Sequence, residues 1–347
     1  MPFTAGFVTG GIDTHLDIHV ASALDHLGGV LGTASFPTTS AGYRDLLGWL
    51  RQHGPIDRVG VEGTGSYGAG LAQHLQANDV TVVEVSRPSR QVRRRHGKSD
   101  VIDAIAAARA VLAGEATTVP KSHDGAVEAL RTLKLLQRSA RKARVVALNQ
   151  LHNLVVTAPD ELRSRLRDLD RKNLLATCMA FRIRAEDDSL AAIIRFSLRE
   201  LAHRVTHLDD QLKRTTLRIT RLTQALAPQL LEIKGVGPDV AATLLVTIGD
   251  NPERMRHEKS FASLCGTSPI QASSGKRNRH RLNRGGDRQA NAALWRVAIV
   301  RMGADQRTRD YVARRISEGR NKPEIIRCLK RYIAREVFNA ITTTRRD

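Results

Sequence analysis

Three short runs of strand-forming residues stand at the head of the chain, over 7–13, 17–24 and 30–36, with only brief turns between them. Their β-branched and apolar content, alternating roughly in the second run, reads as three strands. Turns as short as His26-Leu27-Gly28-Gly29 allow neighbouring strands to pair only as an antiparallel meander. The texture then changes to alternation: a helix over 41–53, a strand over 58–62, a helix running to about Ala77 and a nearly all-β-branched strand over 80–85. A meander followed by alternating helices and strands confines the first segment, 1–118, to an α/β domain on one mixed sheet.

Four acids in this segment occupy telling places. Asp13 closes the first strand in Gly11-Ile12-Asp13-Thr14, and Glu62 closes the fourth in Val59-Gly60-Val61-Glu62-Gly63. Asp100 and Asp103, in Lys98-Ser99-Asp100-Val101-Ile102-Asp103, stand three apart at the start of an alanine-rich helix and leave its same face. Singly, a strand-end Asp is a turn residue, and an acidic pair at a helix start is a cap beside the positive end of the dipole. Jointly they form a set of hard oxygen ligands suited to Mg²⁺. Two such ions about 3.5–4 Å apart can activate one oxygen and stabilise another during phosphodiester displacement. Gly-Ile-Asp also opens actin-like sugar kinases, but no later glycine-rich stretch supplies a phosphate loop or adenosine pocket, so no nucleotide cofactor is expected.

Charge indicates the partner. The formal net charge is +20 over 347 residues, yet residues 1–85 hold three Arg and no Lys against eight acids, a net of −5 that leaves +25 on the remainder. An acidic head on a basic body fits a metal site served by a region that binds nucleic acid. Arg87, Arg90, Arg93, Arg94, Arg95 and Lys98 run directly into the acidic pair, as a backbone approaching bound metal would require. Aromatics make up only 4% of the chain, so phosphate and shape, not base stacking, are the expected grip. No apolar run nears the roughly 20 residues that span a bilayer, and no signal peptide precedes the first strand; a cytoplasmic protein with no membrane partner is expected. Cys178, Cys265 and Cys328 are odd in number and widely separated, which argues against disulfides and zinc.

From Pro120 the sequence becomes helical and arginine-rich, a linker over 119–227. One long amphipathic pattern covers 126–156, and another helical stretch runs from Pro159 to Ala176. Leu198, Val205, Leu212 and Ile219 repeat every seven residues, as do Leu201, Leu208, Thr215 and Leu222, the a and d positions of a coiled coil; a helix packed inside its own domain is the alternative. The last segment, 228–347, is expected to be mainly helical. Gly235-Val236-Gly237-Pro238 resembles the turn of a helix-hairpin-helix, whose amides approach a phosphate. Leu264-Cys265-Gly266-Thr267-Ser268-Pro269 then leads to Ser273-Ser274-Gly275 and to Lys276, Arg277, Arg279, Arg281, Arg284 and Arg288. A serine among such cations is placed to attack a phosphodiester, because they neutralise the phosphate and favour the alkoxide. Spacing alone does not choose between Ser273 and Ser274.

These motifs, in this order, resemble the insertion sequence one-ten family of transposases, related to the Piv/MooV DNA invertases: Gly-Ile-Asp13, Val-Glu62-Gly-Thr-Gly-Ser-Tyr67, Lys98-Ser-Asp100-x-x-Asp103, Gly235-Val-Gly-Pro238, Leu264-Cys-Gly-Thr-Ser-Pro269 and Ser274-Gly275. The resemblance implies a ribonuclease-H-like (RuvC-like) first domain with a DEDD acid set, Asp13, Glu62, Asp100 and Asp103, holding Mg²⁺. It implies a C-terminal transposase domain in which Ser274, the serine followed by glycine five positions after Pro269, is the nucleophile. It further implies donor and target DNA, a structured non-coding guide RNA, a homo-oligomer arranged as a dimer of dimers, and a bacterial, nucleoid-associated location. The departures, Gly63, Ser99 and Arg87 where alanine, threonine and asparagine are usual, remove no expected ligand. A metal-only junction-resolving nuclease and a non-catalytic nucleic-acid scaffold stay open as alternatives.

Overall fold

The computed structural model of the chain describes residues 6–85, 99–184, 186–255, 257–271, 280–281 and 283–343. The chain divides into two compact units, 1–125 with 248–256, and 126–247 with 257–347; the expected linker and last segment thus cluster together.

In the first unit β1 (Val8–Thr14), β2 (Ile18–Leu24) and β3 (Val30–Pro37) form the antiparallel meander. β1 also pairs in parallel with β4 (Ile56–Glu62), and β4 with β5 (Val82–Val85), giving the order β3-β2-β1-β4-β5. Helices α1 (Ser40–Gln52) and α2 (Ala69–Gln76) supply Leu46, Leu50, Leu71 and Leu75 to a core with Ile12, Val59 and Val61. Side chains alternate across a strand, so Gly11, Asp13, Gly60 and Glu62 belong to the opposite face. That face is covered by α3 (Asp100–Leu112), through Ala104, Ala107, Ala108 and Val111.

The closeness of that contact is a matter of missing side chains. A Cβ added to Gly11 would lie 2.3 Å from the Ala104 carbonyl oxygen, and one on Gly60, its register partner, 3.0 Å from that of Ala107. Glycine below and alanine above therefore let α3 lie directly on β1 and β4. Ser22 Oγ of β2 donates to the Ala104 carbonyl at 2.9 Å and fixes the helix along its axis.

The second unit is mainly helical. Its longest elements are α4 (Ala126–Thr157) and α7 (Leu190–Leu226), joined through α5 (Asp160–Leu166) and α6 (Arg171–Met179). The stretch expected to be one helix from Pro159 is two because Asp170 caps the second, accepting from the Asn173 amide at 2.8 Å. Gln137 meets Thr216 and Arg144 meets Asp209, so α4 and α7 run antiparallel. On the heptad seam Leu198, Val205, Thr215 and Ile219 are buried, and the first two join one core with Ala147, Leu151 and Val155 of α4. The regular repeat of α7 is thus met by a helix of the same chain. The remaining elements are α8 (Pro228–Glu232), α9 (Pro238–Ile248), α10 (Glu258–Leu264), the short pair β6 (Ile270–Gln271) and β7 (His280–Arg281), α11 (Arg288–Ala304), α12 (Gln306–Ser317) and α13 (Lys322–Thr343).

Candidate metal centre

The four acids converge. In the β1–β4 register Gly11 stands beside Gly60, so the residues two further along, Asp13 and Glu62, emerge side by side at the same ends of parallel strands, on the α3 face. Ser99 caps α3, its Oγ accepting from the Ile102 amide at 3.2 Å, and sets Asp100 and Asp103 in the first turn. Because the glycine floor brings this helix down onto β1 and β4, Asp103 is buried (9% exposed) near Asp13 and Glu62, each 4% exposed. The Asp100 side chain is half exposed at the rim.

Electrostatics identify what such a cluster needs. Burial pushes the Asp13 carboxyl above the usual carboxylate range; His15 opposes this, while Glu62 and Asp103 add to the rise by like-charge repulsion. Buried carboxylates that repel one another are stabilised by a cation between them, and carboxylate oxygens are ready ligands for a divalent ion. The chemistry of the residues therefore fits a divalent ion.

His15 is the residue that the sequence did not disclose. Its Nε2 lies 3.0 Å from Asp13 Oδ2 and 3.4 Å from Asp100 Oδ1, so Asp13, His15 and Asp100 form a three-member group able to hold a metal. The available signal was spacing: two positions after Asp13 in extended chain returns to the same face. Thr14 between them donates to the Glu62 carbonyl at 2.8 Å and ties the two strand ends together.

The basic run Arg87, Arg90, Arg93, Arg94, Arg95 and Lys98 lies outside the described residues, as do Ser273, Ser274, Lys276, Arg277 and Arg279. Of the remaining expected nucleic-acid contacts, Arg281 and Arg284 are exposed, in β7 and in the turn before α11. Gly235 takes φ +85° against Val297, and Gly237 has open space beside its α-carbon. Asp239, in the first turn of α9, lies 2.5 Å from Lys134 Nζ and within 3.5 Å of Arg141 and Arg296. Although burial opposes it, these cations hold the Asp239 carboxyl below its ordinary range.

The Leu264–Pro269 motif also has a structural reason. A Cβ on Gly286 would come within 2.4 Å of the Gly266 backbone, so the two glycines allow the end of α10 and the turn before α11 to touch. Asn291 of α11 secures the contact, its Nδ2 donating to the Cys265 and Gly266 carbonyls at 2.9 and 3.0 Å.

Residues 10–158 match the DEDD-type IS110 transposase family model, and residues 227–313 match that of the transposase IS116/IS110/IS902 family. Together the matched stretches take in most of the chain and both of its candidate sites. The chain belongs to the IS110 family of transposases. The uncharacterized 43.6 kDa protein of insertion element IS110 from Streptomyces coelicolor is 33% identical over 134 residues, which span 38% of this chain and 33% of that relative. All four acids of this IS110-family member lie within the first matched stretch, and the Gly266–Gly286 contact lies within the second. Among the described residues no helix is long and apolar enough to cross a membrane.

Proposed function

We propose that the protein is a DNA recombinase that cleaves and rejoins strands to move an insertion sequence. The observation that carries this reading is that buried Asp13 feels the charges of buried Glu62 and Asp103 and, through His15, reaches Asp100 at the rim, although ninety positions separate Asp13 from Asp103. The strand order, meander first and parallel strands after, supports a ribonuclease-H-like domain for residues 1–118, followed by a linker over 119–227 and a transposase domain over 228–347.

In this reading Asp13, Glu62, Asp100 and Asp103 hold two Mg²⁺ ions per assembled site. Bound there, the ions would polarise the scissile phosphodiester and stabilise the departing oxygen. Burial of three of the acids keeps the ligands in place before substrate arrives. Arg87 to Lys98 draw the backbone toward the acids, and Gly235, Gly237, Lys276, Arg277, Arg279, Arg281 and Arg284 hold it in the second unit. Ser274 forms its Oγ–P bond as one P–O bond of the strand breaks, its proton passing to the departing deoxyribose oxygen. A DNA hydroxyl then attacks the phosphoserine and frees the serine, so the number of phosphodiesters is conserved and no ATP is needed. Following the family resemblance, a structured guide RNA selects donor and target DNA, and subunits assemble as a dimer of dimers in the bacterial nucleoid.

The test is strand cleavage in Mg²⁺ by the purified chain with the RNA that copurifies with it. Asp103→Asn is expected to abolish cleavage, and Ser274→Ala to abolish both cleavage and the covalent protein–DNA product. Undiminished cleavage by Ser274→Ala would leave a metal-only nuclease. Failure of Mn²⁺ to bind with site stoichiometry would leave a nucleic-acid scaffold.

A further inference from the structure

The second unit contains a cavity of about 350 Å³ that the acid cluster does not explain. Its walls are the start of α13, the ends of α12 and of the turn that follows it, the Gly266–Pro269 stretch, and Arg281 of β7. Arg281, Arg320, Arg327 and Lys330 line it, against the single acid Glu324, which lies 4.0 Å from Arg327. Arg281 and Arg320 have no ion-pair partner among the described residues.

Lys330 is the decisive residue. It is 5% exposed, and its Nζ makes one hydrogen bond among the described residues, to Asn291 Oδ1 at 2.8 Å. An ammonium has three protons to place and carries a large desolvation cost when buried, which one neutral amide does not offset. The amide is not free to turn, because Nδ2 of Asn291 already holds the Cys265 and Gly266 carbonyls, which leaves Oδ1 facing the lysine. The fold therefore fixes a buried cation at the wall of a cavity where Arg281, Arg320 and Arg327 outnumber Glu324, an arrangement completed by an anion.

We propose that this cavity seats one backbone phosphodiester of DNA, with Lys330 as its fixed buried cation and Asn291 as the positioning residue that aims it. Its volume is that of a small-ligand pocket, about 300 Å³ or more, roomier than a single small anion requires. Thr267 and Ser268 add hydroxyls of the kind that accompany Arg and Lys at backbone phosphates. The choice of DNA rests on the recombinase reading above; the anion seat rests on Lys330 alone.

The test is binding of a short DNA duplex to the full chain in EDTA, where no metal-dependent chemistry contributes. Affinity is followed between about 50 and 200 mM salt. Lys330→Gln is expected to weaken binding about tenfold and to lower the steepness of log affinity against log salt by about 0.9, the loss of one phosphate contact, while Lys330→Arg retains the slope. Arg320→Gln, an exposed change that leaves the fold intact, is expected to lower the slope similarly. Inorganic phosphate and a mononucleotide are run as competitors. Wild-type slopes in both Lys330→Gln and Arg320→Gln would overturn the proposal. So would tight, Lys330-dependent binding of inorganic phosphate or the mononucleotide with no effect of the substitutions on DNA. If Lys330→Gln melts early, Arg320→Gln combined with Arg281→Gln decides by the same slope. Loss of strand transfer with these slopes as expected would refute the recombinase reading and not this one.

Discussion

Gly11 of β1 and Ala104 of α3 meet backbone to backbone, with 2.3 Å between the place a Gly11 Cβ would occupy and the Ala104 carbonyl oxygen. That contact sets the height of α3 above the sheet and so the distance from Asp103 to Asp13 and Glu62. Gly11→Ala must lift the helix or tilt it, at about 1–3 kcal/mol by the usual cost of overpacking. Isothermal titration with Mn²⁺ should show affinity reduced tenfold or more, and an unaltered isotherm would mean that the helix height does not govern the site.

Asp13 carries the like-charge repulsion of Glu62 and Asp103 in a buried setting. Asp13→Asn removes one charge and keeps the shape. In metal-free buffer the variant should melt about 2–4 °C above the parent, and adding Mg²⁺ should raise the parent's melting point but not the variant's. Equal responses to Mg²⁺ would place the ion elsewhere.

His19 of β2 is fully buried, stacked on Tyr43 with ring centroids 5.8 Å apart, and neither ring nitrogen has a hydrogen-bond partner among the described residues. Burial, with the nearby His15, depresses its pKa from the usual 6.5 to about 4. The unfolded chain binds this proton near 6.5 and the folded chain only near 4, so the stability it contributes is complete above pH 6.5 and is lost as pH falls toward 4. The loss is at most about 3.5 kcal/mol, at roughly 1.4 kcal/mol per unit. Urea midpoints at pH 7 and pH 5 should differ for the parent and converge in His19→Phe.

Lys134, buried on α4, depends on Asp239 for its counter-charge, whereas Asp239 also has Arg141 and Arg296. The two truncations should therefore be unequal. Asp239→Asn strands a buried ammonium and is expected to cost about 3–5 kcal/mol, Lys134→Met clearly less, and the double variant less than their sum. Equal costs by chemical denaturation would contradict this asymmetry.

Local signals carried much of the architecture. β-branched runs and their turns dictated the meander and the alternation after it, since strand identity depends on neighbours a few residues away. The alanine face of α3 and the heptads of α7 were equally plain, because helical period is local too. The sequence also contained the four acids and, in Gly11-x-Asp13 and Gly60-x-Glu62, the glycines that let them meet. Only the tertiary structure decided that they do meet, because the β1–β4 register and the descent of α3 onto two glycines join residues up to ninety positions apart. It alone decided that α7 spends its seam on α4 of the same chain, since a heptad repeat states an appetite for a partner without naming it. His15 beside Asp13, and Lys330 aimed by Asn291, came from the same source: a lone histidine or lysine acquires meaning only from what the fold places against it.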